Sequence, residues 1–185
     1  MASERASSLL KLALFATGLS GIVAEYILST LASYFIGDSA TQWALIVSVM
    51  LFSMGLGSRL SQYFEGNLLI KFIGVEFLLS ILVSFSSLLA YTAAGLTDYV
   101  GLIIYALSIL IGLLIGLEIP LVMRLNERFE SLKVNVASVM EKDYFGSLIG
   151  GLFFAFVGLP ILGLRYTPFI LGALNFSVAI LLYLK

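Results

Sequence analysis

One carboxylate, Glu25, lies near the middle of an apolar segment, residues 18–33, that is hydrophobic enough to cross a bilayer. On a helix, one stripe would be shared by Gly18, Gly21, Glu25, Ser29 and Ala32. An ionisable group at mid-membrane is costly unless it faces protein, water or a partner, so Glu25 is a candidate functional residue. The alternative is a glutamic acid that bonds a neighbouring helix for packing alone, and the sequence leaves both roles open.

Three further acids, Glu76, Glu118 and Asp143, stand in or beside apolar segments. Glu76 begins a polar helix face that continues through Ser80, Ser84, Ser87 and Tyr91. Converging carboxylates suit a cation, so the pattern predicts an acidic site for a proton, a metal ion or an organic amine, with Glu25 as its deepest ligand. Tyr26 and Asn175 are candidate secondary contacts.

Basic residues at a similar depth offer these acids a structural role instead. Arg59, Arg124 and Lys142 could pair with Glu76, Glu118 and Asp143 and so form a charge clamp. Such a clamp would leave Glu25 without a cationic partner in this chain.

Composition argues against most enzyme chemistry. The 185 residues are 61% apolar and 11% charged, with a mean hydropathy of +1.10, which places the chain in the integral membrane class. The absence of cysteine and histidine removes disulfides, thiolate nucleophiles and imidazole acid–base catalysis. We therefore expect no catalytic residue, no bound metal or cofactor, and no nucleic-acid partner.

Six apolar runs are each long enough for a transmembrane helix, which needs about 20 residues. They cover residues 9–36, 41–63, 68–92, 98–123, 143–163 and 166–184. The first run follows Glu4, Arg5 and Lys11 but lacks a cleavage pattern, so we expect a retained helix rather than a signal peptide. Residues 124–142 carry apolar side chains at helical spacing, which predicts an amphipathic helix on the cytoplasmic membrane surface.

The distribution of Lys and Arg predicts the orientation. With a cytoplasmic amino terminus, Arg165 alone falls on the outer side. The inner side then holds Arg5, Lys11, Arg59, Lys71, Arg124, Arg128, Lys133, Lys142 and Lys185. The sequence thus predicts an all-α, multi-pass integral protein of the cell inner membrane. We expect six transmembrane spans with both termini cytoplasmic.

Two segments resemble one half of the major facilitator superfamily. FSMGLGSRLSQYFEGN at 52–67 is similar to the glycine-and-arginine turn between its second and third helices, and GLRYTPFILGALN at 163–175 to the entry of its sixth helix. The resemblance implies two inverted three-helix repeats. The turn lacks the acidic residue that usually precedes the arginine, which argues against a gating role here.

Three longer segments, at 24–61, 116–125 and 135–164, resemble the amino-terminal membrane region of multi-pass polyamine aminopropyltransferases, the membrane-fused spermidine synthase group. In that family a cytoplasmic spermidine synthase-like domain follows the last helix. Its glycine-rich nucleotide loop and catalytic acids have no counterpart here. The resemblance therefore implies a membrane domain without transferase activity of its own, either part of a longer protein or a stand-alone relative.

These patterns support three functional hypotheses. The leading one is a membrane domain that anchors a polyamine-making module and offers an acidic intramembrane site for a cationic amine, a polyamine, or a proton. The second is a small cation- or proton-coupled transporter acting as a homodimer of major-facilitator-like halves. The third is a ligand-free anchor or assembly domain whose acids bond neighbouring helices; an intramembrane enzyme is the least supported.

Overall fold

The computed structural model of the chain describes residues 2–184, with side chains from residue 7 onward. The side chains of Arg5 and Lys185, which entered the charge count, lie outside these described residues. Within the described range the structure is all-helical, and its α-helices are α1 (Ala2–Ile36), α2 (Ser39–Leu60), α3 (Leu68–Leu96), α4 (Val100–Asn126), α5 (Leu132–Phe153) and α6 (Gly163–Tyr183). The all-α fold class is therefore confirmed.

The turn between α1 and α2 is short because Asp38 caps the second helix. Its carboxylate accepts hydrogen bonds from the Thr41 hydroxyl at 2.6 Å and from the Thr41 backbone N–H at 3.4 Å. These bonds hold the pKa of Asp38 below its ordinary value. Gly37 and Asp38 both have positive φ, a conformation that glycine and aspartate tolerate better than most residues.

The connection between α4 and α5 differs from the predicted surface helix over 124–142. α4 continues to Asn126, and α5 begins at Leu132 and runs without interruption to Phe153. The buried Asn126 donates to the Asn135 side chain at 2.9 Å, and Asn135 donates to the Met123 carbonyl at 2.7 Å. These bonds hold the first turns of α5 against the end of α4, so residues 132–142 belong to a bundle helix.

The connection between α5 and α6 is a π-helical segment, Phe154–Leu162, that ends at Gly163. Gly163 has φ 68° and ψ 179°, which reverses the chain. Across this turn the Thr167 hydroxyl bonds the carbonyls of Gly158 at 2.8 Å and Gly163 at 2.7 Å. The described residues thus contain five continuous helical stretches long and apolar enough to cross a membrane, and the fifth, Leu132–Tyr183, holds both α5 and α6.

Residue contacts give the relative directions of the helices. α1 and α5 run parallel, since Gly146 lies against Phe15 and Gly150 against Leu19. α2 and α4 run parallel, since Gly112 lies against Met50 and Gly116 against Met54. α1 and α3 run parallel, since Thr17 bonds Glu76 and Phe35 packs against Tyr91. α3 and α6 run antiparallel, since Phe77 packs against Phe176 and Phe85 against Phe169.

α1 is the central helix of the bundle and contacts each of the other five. Its core residues Leu14, Val23, Ile27, Leu28 and Leu31 are fully buried. Small residues let the neighbouring backbones approach closely. A side chain at Gly146 or Gly150 of α5 would overlap a backbone carbonyl of α1.

We predict that Gly146→Leu destabilises the bundle because its side chain would overlap the Phe15 carbonyl. Overpacking usually lowers the free energy of unfolding by about 1–3 kcal/mol. We expect a loss near the upper end of that range, because a backbone carbonyl cannot move aside as a flexible side chain can. The thermal unfolding midpoint of the purified protein in detergent measures the effect. Gly74→Leu is the control, because a side chain there would meet nothing within 4 Å. Equal midpoints for the two variants would contradict the close contact of α1 with α5.

Candidate functional site

Glu118 of α4 is a buried acid that the Thr17 hydroxyl of α1 approaches without reaching hydrogen-bond distance. Its side chain is 0% exposed. Within the part of the chain whose side chains are described, neither carboxyl oxygen has a hydrogen-bond partner. An unpaired buried carboxylate costs several kcal/mol, so the group must be neutral or accompanied by a cation.

Glu76 of α3 is also fully buried but has one partner on α1. The Thr17 hydroxyl lies 3.1 Å from Oε1 of Glu76 and 3.1 Å from the Ala13 carbonyl oxygen. A hydroxyl has a single proton, so Thr17 can donate a hydrogen bond to Glu76, or donate one to the Ala13 carbonyl and accept one from Glu76 in its acid form. Oε2 of Glu76 has no partner among the described residues.

Asp143 of α5 completes an acidic cluster with Glu76 and Glu118. The carboxyl of Glu118 interacts electrostatically with those of both other acids. The backbone carbonyl of Asp143 packs against Gly18, the residue after Thr17, where no larger side chain would fit. Three carboxyls from α3, α4 and α5 therefore surround the Thr17–Gly18 region of α1, and we call these three residues the acid cluster.

Glu25 lies apart from the acid cluster. It is half-buried and forms no hydrogen bond or ion pair with any side chain that the structure describes. It follows Gly18 by seven residues, which places it about 10 Å farther along α1. One turn beyond it, the buried Ser29 hydroxyl also has no partner. Glu76 and Glu118 are buried from solvent more completely than Glu25.

The predicted charge clamp does not form among the described side chains. Arg124 instead donates to the carbonyls of Ser61 at 3.0 Å and Phe64 at 2.8 Å, which attract a cation because they lie at the end of a helix. Lys142 pairs with Glu141 at 2.8 Å. Arg59 is exposed and forms no ion pair in this part of the chain.

The two predicted secondary contacts have other partners. The Tyr26 ring packs against Trp43 at 5.3 Å and Phe154 at 5.5 Å between ring centroids. The side-chain amide of Asn175 lies 2.8 Å from the Ser20 hydroxyl, and the same hydroxyl lies 3.0 Å from the Asn175 carbonyl oxygen. Asn175 therefore links α6 to α1 about one turn from Thr17, and neither residue contacts the acid cluster through a hydrogen bond.

Sequence reasoning missed two features of the polar interior. The first is Thr17, which the sequence analysis did not single out because a lone threonine in an apolar helix carries no distinctive spacing. The second is a network at the α4–α5 turn in which Glu130 bonds Lys11 at 2.5 Å, Asn126 at 3.2 Å and Ser138 at 3.1 Å. Two asparagines, at 126 and 135, beside apolar runs were the available signal for this network.

No group of three or more His, Cys, Asp or Glu residues within the described residues is arranged to hold a metal ion. The acid cluster therefore presents its carboxyls without the geometry of a shared metal site. Its chemistry is that of single acids that can bind a proton or the ammonium group of an organic cation.

The Lys11–Glu130 pair predicts a pH-dependent contribution to stability. The hydrogen bond from Lys11 holds the pKa of Glu130 below its ordinary value of 4.5. Such a group stabilises the fold above its unfolded-state pKa and loses that contribution as the pH falls through the folded-state pKa. Because the pair is partly exposed, we expect Glu130→Gln to cost less than about 1 kcal/mol near neutral pH.

Thermal unfolding midpoints of wild type and Glu130→Gln, recorded as the pH is lowered, measure this contribution. The difference should shrink below the ordinary pKa of the carboxyl. Glu127→Gln, on the same turn and exposed, is the control and should show no such trend. A gap that stays constant at every pH would contradict the assigned role of the pair.

Comparison with known proteins found relatives along nearly the whole chain. It is 48% identical over 177 residues to polyamine aminopropyltransferase 2 of Aquifex aeolicus, covering 95% of this chain and 36% of the relative. It is 41% identical over 160 residues to the polyamine aminopropyltransferase of Leptospira interrogans, covering 86% and 32%. For that of Mycobacterium tuberculosis the identity is 32% over 186 residues, covering 96% and 36%.

The chain thus spans about a third of the length of the curated relatives it matches. These homologues are named as polyamine aminopropyltransferases, in agreement with the predicted resemblance. No family model matches the chain, and no solved structure matches it.

Proposed function

We propose that this chain is the membrane domain of a polyamine aminopropyltransferase-like protein and that it holds a site for a cationic amine. The domain crosses the bilayer six times, anchors an aminopropyltransferase module on the cytoplasmic side, and binds the amine at the acid cluster. Support comes from three independent sources, which are the helix directions, the charge distribution and the unpaired carboxyl of Glu118.

The helix directions favour six crossings. Leu132–Tyr183 has 52 residues, and a straight helix of that length would be about 78 Å long, more than twice the roughly 30 Å hydrocarbon core. The reversal at Gly163 divides it into two helices of spanning length. α5 is parallel to α1, whereas α6 is antiparallel to α3 and therefore to α1. Six alternating helices would place both termini on one side.

The charge distribution favours a cytoplasmic location for that side. Lys11, Arg124 and Arg128 lie at the end of the bundle where α1 begins, and Arg165 lies at the opposite end, beside the turn between α5 and α6. Positive residues accumulate on cytoplasmic loops of membrane proteins. We assign aminopropyl transfer to the two thirds of the relatives that this chain does not cover.

The observation that carries the amine site is the complete burial of Glu118 with no partner at hydrogen-bond distance among the described residues. A group that served packing alone would be expected to bond a neighbour, as Asn175 does with Ser20. Instead, the free oxygens of Glu118 and Glu76 leave acceptors for an ammonium group, which has only donors. Glu25 lies about 10 Å farther along α1. Its carboxylate would contact a second ammonium group of a linear amine that carries several.

A path to the acid cluster requires helices to separate, because Glu76 and Glu118 have no exposed surface in this conformation. α4 and α5, which carry Glu118 and Asp143, contact each other sparsely compared with the contact of either helix with its main partner. We therefore place the entrance between these two helices. Amine binding would then be coupled to their movement.

We expect spermidine to stabilise the wild-type protein and to have little effect on Glu118→Gln. A ligand that binds only the folded state raises its stability by about 2.7 kcal/mol at a concentration of 100 times Kd. Thermal unfolding of purified protein, titrated with spermidine, putrescine and sodium chloride at matched ionic strength, measures the effect. Glu65→Gln, an exposed acid outside the bundle core, is the control and should respond as the wild type does.

Equal stabilisation of wild type and Glu118→Gln would contradict the acid cluster as the binding site. No response of the wild type to any amine would contradict the amine site itself and leave a membrane anchor with structural acids. Uptake of labelled spermidine by protein reconstituted in vesicles separates a transport role from binding alone.

A further inference from the structure

A cavity of about 520 Å³ lies at the end of the bundle where α1 begins. Leu9 and Leu10 of α1, the first turn of α3 and the end of α6 form its apolar walls. Arg124 and Arg128, from the end of α4 and the turn after it, also line it. The cavity is separate from the acid cluster, none of whose residues lines it.

The lining combines two kinds of chemistry. It includes Arg124 and Arg128 but no carboxylate from the described residues, and most of the other lining residues are leucine, isoleucine or phenylalanine. An arginine without an acidic partner favours an anion, and phosphate fits the guanidinium geometry. The apolar walls favour hydrocarbon. A molecule that satisfies both is an anionic amphiphile.

The two arginines are not equivalent. Arg124 is occupied by the carbonyls of Ser61 and Phe64 and fixes the turn between α2 and α3. Arg128 is exposed and forms no hydrogen bond or ion pair with the side chains that the structure describes. The described side chains therefore leave its guanidinium N–H groups to donate to a ligand.

The apolar wall of the cavity continues onto the outer surface of the bundle. Leu69 is 40% exposed, Ile70 is 66% exposed and Phe129 is 38% exposed, and all three line the cavity. A small free anion would contact the arginines without using this wall. An acyl chain that enters from the surrounding lipid would cover it.

We propose that this cavity binds an anionic phospholipid, with Arg128 on the headgroup phosphate and an acyl chain along Leu69 and Ile70. Basic pockets at the cytoplasmic ends of transmembrane helices are suited to such headgroups. The inference rests on the proposed membrane placement of the chain. It does not depend on the amine site, so failure of the amine titration would leave it standing.

Native mass spectrometry of the purified protein, incubated with phosphatidylglycerol or phosphatidylcholine, tests the proposal. The wild type should retain phosphatidylglycerol in preference to phosphatidylcholine. Arg128→Gln should bind phosphatidylglycerol roughly fivefold to tenfold more weakly, the effect of removing one cation from such a site. Arg128→Lys should keep part of the affinity. Arg59→Gln is the matched control, because Arg59 is exposed near the same end of the bundle but does not line the cavity.

Equal binding of phosphatidylglycerol by Arg128→Gln and Arg59→Gln would overturn the assignment of Arg128. Equal retention of the two lipids by the wild type would overturn headgroup recognition. If inorganic phosphate displaced phosphatidylglycerol at comparable concentrations, the site would bind a free anion and the lipid proposal would be wrong.

Discussion

Close backbone contact along α1 is the constraint on which the rest of the structure depends. Lipid tails are as apolar as leucine, so helices in a bilayer gain little from hydrophobic burial and associate through close packing and polar bonds. Gly146 and Gly150 allow α5 to touch α1 at the level of Phe15 and Leu19. α1 also contacts the four remaining helices. Its polar side chains can therefore reach across to groups on α3 and α6.

The polar groups that meet around α1 fall into two classes. Asn175 and Ser20 satisfy each other and join α6 to α1. Glu118 is as deeply buried but has no partner among the described residues. Burying a polar group without a hydrogen-bond partner costs stability, so packing alone does not account for a carboxyl at this position. This contrast supports a cation-binding role for the acid cluster.

The sequence predicted the helices well and their neighbours poorly. Apolar runs of about 20 residues identified the helical segments, because length and hydropathy are local properties. The same local pattern predicted one separate helix over 124–142, whereas α4 continues to Asn126 and residues 132–142 begin α5. The Asn126–Asn135 bond that joins these two helices is tertiary, so periodicity alone does not show it. The sequence analysis selected Glu25 from its position near the middle of an apolar run. Which acids meet in the bundle depends on how the helices rotate and pack, and this packing places Glu76 beside Thr17.

We propose that the buried carboxyl of Glu118 is neutral in the free protein and releases its proton to solvent when a cationic amine binds. Infrared difference spectra of the purified protein, with and without spermidine, test it directly when the wild type is compared with Glu118→Gln. Spermidine should convert a neutral carboxyl absorption into a carboxylate absorption in the wild type, and the variant should lack this change. A carboxyl spectrum that spermidine leaves unchanged, or that changes equally in both proteins, would contradict the proposed role of Glu118.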